Sequence, residues 1–365
     1  MSSADGFGRF FLPGPTEVRP EILHAQIGPM VGHRSPATER TVERLQRGLR
    51  PLFGTERPVY IAPSSATGFM EAAVRNGVRR RVLCLVNGAF SERFATIARA
   101  CGREAEELTV AWGEAHDPAR VADALAGGDF DAVTVVHCET STGVLNPVAD
   151  IARVAHDAGD VAVLVDAVTS VAGMEFHADD WNLDFVLTGS QKALALPPGL
   201  ALGVAQPSVL ERARANPARG LYFDLLAFER NLEKSQTPTT PAMSLLYALA
   251  AQLDAIEEET IAGRAERHRA MARTLYAWVE DVRSRDLAIE ILAPAGFRSP
   301  TVTCLRPPPG WSGSRVQAAL AERGFTVAPG YGRLRDEMFR IGHMGDHTVS
   351  ELETLLAVLE EVLRR

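Results

Sequence analysis

Over the first two thirds of the chain, short apolar runs alternate with longer stretches whose apolar positions recur at helical spacing. Val59-Tyr60-Ile61, Val82 to Val86, Ala132 to His137, Val161 to Val165 and Asp184 to Leu187 read as buried strands, and Leu200 to Ala205 closes the series. Among the intervening helices, Ser35-Pro36 supplies an N-cap and a first-turn proline, Val42, Leu45, Leu49 and Leu52 follow on one face, and Gly54 lies just past the end. Ser65 to Val74, Glu92 to Cys101 (stopped by Gly102) and Ile151 to Asp157 (ended by Gly159) complete the alternation. Such alternation predicts an α/β fold with right-handed crossovers, a mostly parallel sheet covered by helices on both faces, and ligands bound at the carboxyl ends of the strands.

The two ends have another texture. After a polar start, Phe10-Phe11-Leu12 leads into Pro13-Gly14-Pro15-Thr16, where each proline keeps the preceding residue out of the helical region, so the segment reads as an extended arm. Beyond Pro241, Ala242 to Ile261 and Arg264 to Val282 read as long helices, the second with Met271, Leu275 and Trp278 on one stripe. Strands at Thr301 to Leu305 and Met338 to Ile341 then mix with helices at Ser314 to Ala321 and Ser350 to Leu363, an α+β pattern. The organisation expected is an N-terminal arm (1–20), a large α/β domain (21–258) and a smaller C-terminal α+β domain (259–365).

Composition narrows the classes. The 365 residues are 46% apolar, enough for a large core and two domains. No apolar run approaches the ~18 residues of a membrane span, and Met1 to Gly6 lacks a secretory pattern, so a cytoplasmic protein is expected. The formal charge of −8 is dispersed along the chain, which argues against nucleic acid or anionic membrane as partner. Cys84, Cys101, Cys138 and Cys304 stand singly in apolar patterns and read as core thiols, without the spacing of a disulfide framework or structural zinc.

The chemistry gathers at predicted strand ends. The strand ending at Leu187 delivers Lys192 into a turn closed by Pro197-Pro198-Gly199. A lysine fixed there loses hydration, its pKa falls, and its amine can form a Schiff base, although most loop lysines are simply solvated. Asp166 ends another buried strand, where a carboxylate needs a cationic partner; a pyridinium nitrogen would serve, and helix capping or metal binding are the alternatives. Ala62-Pro63-Ser64-Ser65-Ala66-Thr67-Gly68 opens a helix whose free N–H groups suit a phosphate, and Asn87-Gly88-Ala89-Phe90 sets an aromatic ring just past a strand end.

With Pro13-Gly14-Pro15, Glu139-Thr140-Ser141-Thr142-Gly143-Val144-Leu145, Val165-Asp166-Ala167-Val168, Gly189-Ser190-Gln191-Lys192-Ala193 and Phe339-Arg340-Ile341-Gly342, these segments occur in an order that resembles the class V, fold type I, pyridoxal-phosphate aminotransferases over nearly the whole chain. The alanine–glyoxylate and serine–pyruvate type is the nearest. The resemblance implies pyridoxal 5'-phosphate as cofactor, Lys192 as the Schiff-base lysine and Asp166 beside the pyridine nitrogen. It implies Phe90 and Val168 on the two ring faces, Thr140 near the ring hydroxyl, and Ser65, Ala66, Thr67 and Gln191 on the phosphate. Gln236 and Thr239, in the proline-stiffened loop Gln236 to Pro241, would join them, Thr239 from the neighbouring subunit of a homodimer. Arg340 would clamp the substrate carboxylate, with Gly14 close by. His33-Arg34 either points into the neighbouring site or forms the turn before the Ser35 cap. The implied substrates are a small amino acid such as alanine or serine and a small 2-oxo acid, glyoxylate or pyruvate.

Departures touch the substrate more than the cofactor. Ala66-Thr67 stands where the family often has glycine and histidine, and Gln236 where alanine–glyoxylate members tend to have tyrosine. A related desulfurase-like lyase is one alternative, but it needs a histidine on the ring and a mobile nucleophilic cysteine, whereas here the matching ring is Phe90 and Cys304 lies in an apparent strand. A non-catalytic scaffold of the same fold is another; Lys192, Asp166 and Arg340 all speak against it. No GxGxxG follows a strand, and no bound metal is expected.

Overall fold

The computed structural model describes residues 7–365; Met1 to Gly6, the start of the expected arm, lie outside the described residues. Helices α1 (Pro20–Ala25) and α2 (Pro36–Phe53) follow the arm. At α2 the Ser35 side chain accepts from the Thr38 N–H, Pro36 takes the first helical position, and Gly54 ends the helix at φ 59°, in the left-handed region that favours glycine.

Strand β1 (Tyr60–Ala62), helix α3 (Ala66–Gly77), strand β2 (Arg81–Val86), helix α4 (Ala89–Ala100) and strand β3 (Glu104–Thr109) come next. Helix α5 (Pro118–Ala126), strand β4 (Ala132–Val136), the small hairpin of β5 (Cys138–Glu139) and β6 (Val144–Leu145), helix α6 (Val148–Asp157) and strand β7 (Ala162–Asp166) follow. Strands β8 (Phe185–Gly189) and β9 (Ala201–Ala205) complete a seven-stranded sheet, ordered β1-β9-β8-β7-β4-β2-β3.

From β3 to β8 every pairing is parallel, as expected. β9 is the exception, antiparallel to both β8 and β1. The link from Gly189 to Ala201 contains no helix, and a parallel return needs a crossover that this link does not provide. Alternate residues of the central strands feed two cores. Leu83, Leu85, Val133, Val135, Val163 and Val165 pack on one face with α2, α5 and α6. Val82, Cys84, Val86, Ala132, Leu164 and Leu187 pack on the other with α3 and α4.

Helices α7 (Pro207–Ala215) and α8 (Leu225–Leu232) lead to α9 (Met243–Glu259) and α10 (Ile261–Ser284), which break at Thr260, φ 68°. Strands β10 (Glu290–Ile291), β11 (Val302–Arg306), β12 (Ala328–Pro329) and β13 (Phe339–Gly342), with helices α11 (Gly313–Ala321) and α12 (Val349–Leu363), form the remainder. Their four-stranded antiparallel sheet, ordered β10-β11-β13-β12, packs with α10, α11 and α12 around a third core that includes Phe11 of the arm.

Candidate active site

The carboxyl ends of β4, β7 and β8 and the amino end of α3 converge on a cavity of about 180 Å³, lined by Lys192, Asp166, Phe90, Arg93, Thr140 and Val168 among others. Lys192 lies three residues past β8 and is 7% exposed. The arm holds it in place. Its Nζ donates to the Pro13 carbonyl, its own carbonyl accepts from the Thr16 hydroxyl at 3.1 Å, and the Thr16 N–H donates to the Gln191 carbonyl at 3.0 Å. Gly14, at φ 121°, lets the arm pass this close: a Cβ there would fall 2.5 Å from the lysine's Cδ, Cε and Nζ. Burial, reinforced by the Arg340 charge, pushes the Lys192 amine down to about 8, against the opposing pull of Asp166.

Asp166, the last residue of β7, is 3% exposed. Its Oδ1 accepts from the Val168 N–H at 2.9 Å, and among the described residues it enters no ion pair. Burial pushes this carboxyl up to about 7; the Val168 N–H, Lys192 and Arg93 oppose the rise only in part. Such a group is poised for a cation to arrive. A pyridinium nitrogen fits that requirement.

The other end of the cavity suits an anion. Ser65 precedes α3 without using its side chain as a cap, so the hydroxyl and the N–H groups of Ala66 and Thr67 remain available at the positive end of the helix. The Gln191 amide reaches the same corner: a Cβ on Gly189 would meet Gln191 Oε1 at 2.7 Å and the Ala66 methyl at 3.2 Å. Thr140 shares a 2.6 Å hydroxyl contact with Thr169, which also lines the cavity.

Phe90 owes its position to Glu139. That carboxylate is fully buried in β5 and accepts from the N–H groups of Phe90, Ser91 and Ser141 at 3.0–3.3 Å and from the hydroxyls of Ser91 and Ser141 at 3.1 and 2.6 Å. The Phe90 ring centre then lies 5.7 Å from Lys192 Nζ. Glu139→Gln keeps the shape but weakens these bonds and gives two of the donors an N–H to face. It is expected to cost roughly 2–4 kcal/mol in urea unfolding, since the donors stay buried.

Arg340, in β13, is 6% exposed and donates to the carbonyls of Pro329 and Thr140 at 3.1 and 3.3 Å. No carboxylate pairs with it among the described residues, and burial lowers the pKa of its guanidinium. One face of its fork is free for an anion.

Within one chain, five expected residues do not line this cavity: Arg340 and Gly14 stand behind it, against Thr140 and Lys192, and Gln236, Thr239 and His33 lie elsewhere. The Gln236 amide bridges Glu39 and Arg34, the Thr239 carbonyl accepts from Thr237, and Arg34 donates to the Thr237 carbonyl at 2.6 Å. His33 stands half-buried in the turn before α2. Arg93, Thr169 and the anchoring role of Glu139 escaped the sequence reading. Glu139 opens the Glu139 to Leu145 motif, and a carboxylate between Cys138 and a hydroxyl run was the available signal. The desulfurase-like alternative finds no mobile cysteine at Cys304: that residue is buried in β11, between β10 and β13, with its thiol pushed up to about 12.

Residues 32–331 match the family model described as aminotransferase class-V. An uncharacterized aminotransferase of Methanocaldococcus jannaschii is 39% identical over 97% of this chain and 92% of its own length. A protein of Paracoccus denitrificans named L-aspartate–glyoxylate aminotransferase is 30% identical over 97% of this chain and 90% of its own. Among solved structures, the alanine–glyoxylate aminotransferase of Nostoc sp. superposes with a TM-score of 0.92 at 27% identity, covering 100% of this chain and 97% of that one.

Proposed function

We propose, from the premise that the chain belongs to the class-V aminotransferases, that it uses pyridoxal 5'-phosphate to move an amino group from a small amino acid such as alanine, serine or aspartate to glyoxylate or a similarly small 2-oxo acid. The observation that carries this reading is the pairing of a buried lysine with a lowered pKa and a buried, unpaired aspartate with a raised one in a single cavity.

When bound, the cofactor supplies a carbonyl that takes up the amino nitrogen and a ring that absorbs the electrons of the α C–H bond. Asp166 would hold a proton on the ring nitrogen. Phe90 and Val168 would close the two ring faces, Thr140 would meet the ring hydroxyl, and Ser65, Ala66, Thr67 and Gln191 would take the phosphate. Arg340 would bind the substrate carboxylate beside Gly14, so that the Lys192 amine can take the α-proton.

A homodimer would complete the site, with Gln236, Thr239 and His33 acting across the interface. The exposed apolar side chains Leu23, Ile27, Met30, Leu221 and Tyr222 support a covered face. The separate core beyond the helix break at Thr260 supports a division at 258/259 into the large and small domains. No described helix is long and apolar enough to cross a membrane, and a cytoplasmic location accords with that.

The test is an absorbance titration with pyridoxal phosphate. Uptake should give visible absorbance that bleaches with alanine, serine or aspartate and returns with glyoxylate. A protein that takes up no pyridoxal phosphate would sink the reading.

A further inference from the structure

A second guanidinium faces the cavity. Arg93, on α4 shortly after Phe90, lines it together with Lys192 and Asp166. Its Nη2 donates to the Tyr331 hydroxyl at 3.2 Å, and its guanidinium carbon lies 4.9 Å from the centre of the Phe90 ring. Among the described residues it pairs with no carboxylate, whereas Arg99 on the same helix meets Glu107 at 2.7 Å. The guanidinium is therefore held by a neutral hydroxyl with no carboxylate in contact, and Asp166 feels its charge only across the cavity.

Tyr331 links it to the substrate clamp. The guanidinium carbon of Arg340 lies 5.3 Å from the centre of the Tyr331 ring, whose hydroxyl holds Arg93. Arg93 also borders the open cavity outside, with Trp112, Glu92 and Arg333, so it stands where the buried site meets solvent. A bound molecule gripped by Arg340 at one end would present its far end to Arg93. A monocarboxylic donor leaves this half-buried fork unmatched; a second carboxylate satisfies it bidentately. Glyoxylate, with one carboxylate, can use only Arg340.

We propose that Arg93 is a specificity residue that binds the distal carboxylate of the amino donor, so that the preferred donors are acidic amino acids of the aspartate kind. The inference rests on the site reading given above. Its test uses the cofactor-loaded enzyme with glyoxylate as acceptor. Arg93→Gln is expected to lower kcat/KM for aspartate roughly 10–100-fold more than that for alanine, chiefly through KM, with Arg93→Lys recovering part of the difference. In calorimetric titration of the wild type, succinate should bind tighter than butyrate, its equal in chain length, and Arg93→Gln should erase that gap.

Equal losses for aspartate and alanine, or succinate binding no tighter than butyrate, would overturn the proposal. The wild-type titration decides even if Arg93→Gln does not fold. Absence of transfer from every donor would count against the aminotransferase site reading, and the succinate–butyrate comparison would still decide the role of Arg93.

Discussion

Lys192→Ala is expected to slow amino transfer about 10⁴-fold or more, the largest single effect in the chain, because in the proposed mechanism it removes both the covalent partner of the cofactor and the base that moves the proton. No other amine can substitute. The sequence contains only one further lysine, Lys234, and that one is exposed. The fold should survive the change, since the main loss is one hydrogen bond to the Pro13 carbonyl, about 1 kcal/mol. The same residue gives a prediction in pH. In the cofactor-free protein, acylation of Lys192 should rise to half its maximum near pH 8, because burial and Arg340 disfavour the ammonium that protects an amine from attack. Peptide mapping after acylation at a series of pH values measures this directly, with the exposed Lys234 as internal control. A Lys192→Ala enzyme keeping a hundredth of the wild-type rate would remove the lysine from the mechanism.

How much of this was legible in the sequence depended on how local the signal was. The strands ending at Asp166 and Gly189 are apolar throughout because both faces are covered, so a short run announces a central strand and its end announces the site. β3 gave no such signal. It is an edge strand, Glu104 to Thr109, with Glu104, Glu106 and Glu107 exposed, and charge on an edge is what keeps such a strand from pairing with another molecule. The reversed direction of β9 was hidden for another reason: direction is decided by what lies between strands, and the apolar pattern of Leu200 to Ala205 is the same either way. At the site, Lys192, Asp166 and Phe90 were readable because each ends or follows its own strand. Glu139 and Arg93 act through contacts with residues 48 and 238 positions away, and no local pattern encodes those. The apposition of Pro13 and Lys192, 179 positions apart, is equally a product of the fold.

Asp166→Asn should lower the rate of the loaded enzyme about 10²–10³-fold, as loss of one preorganised charge does, and yet stabilise the cofactor-free protein. The sign follows from linkage. The folded carboxyl titrates near 7 and the unfolded one near its ordinary value of 3.8, so between those values the folded state binds the extra proton. Stability of the cofactor-free wild type therefore declines as pH rises from about 4 to about 7, and above that the fold holds a buried carboxylate with one N–H partner. Asparagine can still accept from the Val168 N–H and never ionises. At pH 8 the variant should be more stable by roughly 1–3 kcal/mol in urea, with the gap closing toward pH 4. Loading with cofactor should reverse the order, because a cationic ring nitrogen gives the wild-type carboxylate the partner that the fold withholds. Urea unfolding of both proteins, with and without cofactor, at pH 5 and pH 8 separates these cases. A variant less stable than wild type at pH 8 without cofactor would mean that Asp166 is held by the fold for its own sake, whereas the expected inversion would show a charge kept at a cost to stability for the ligand it serves.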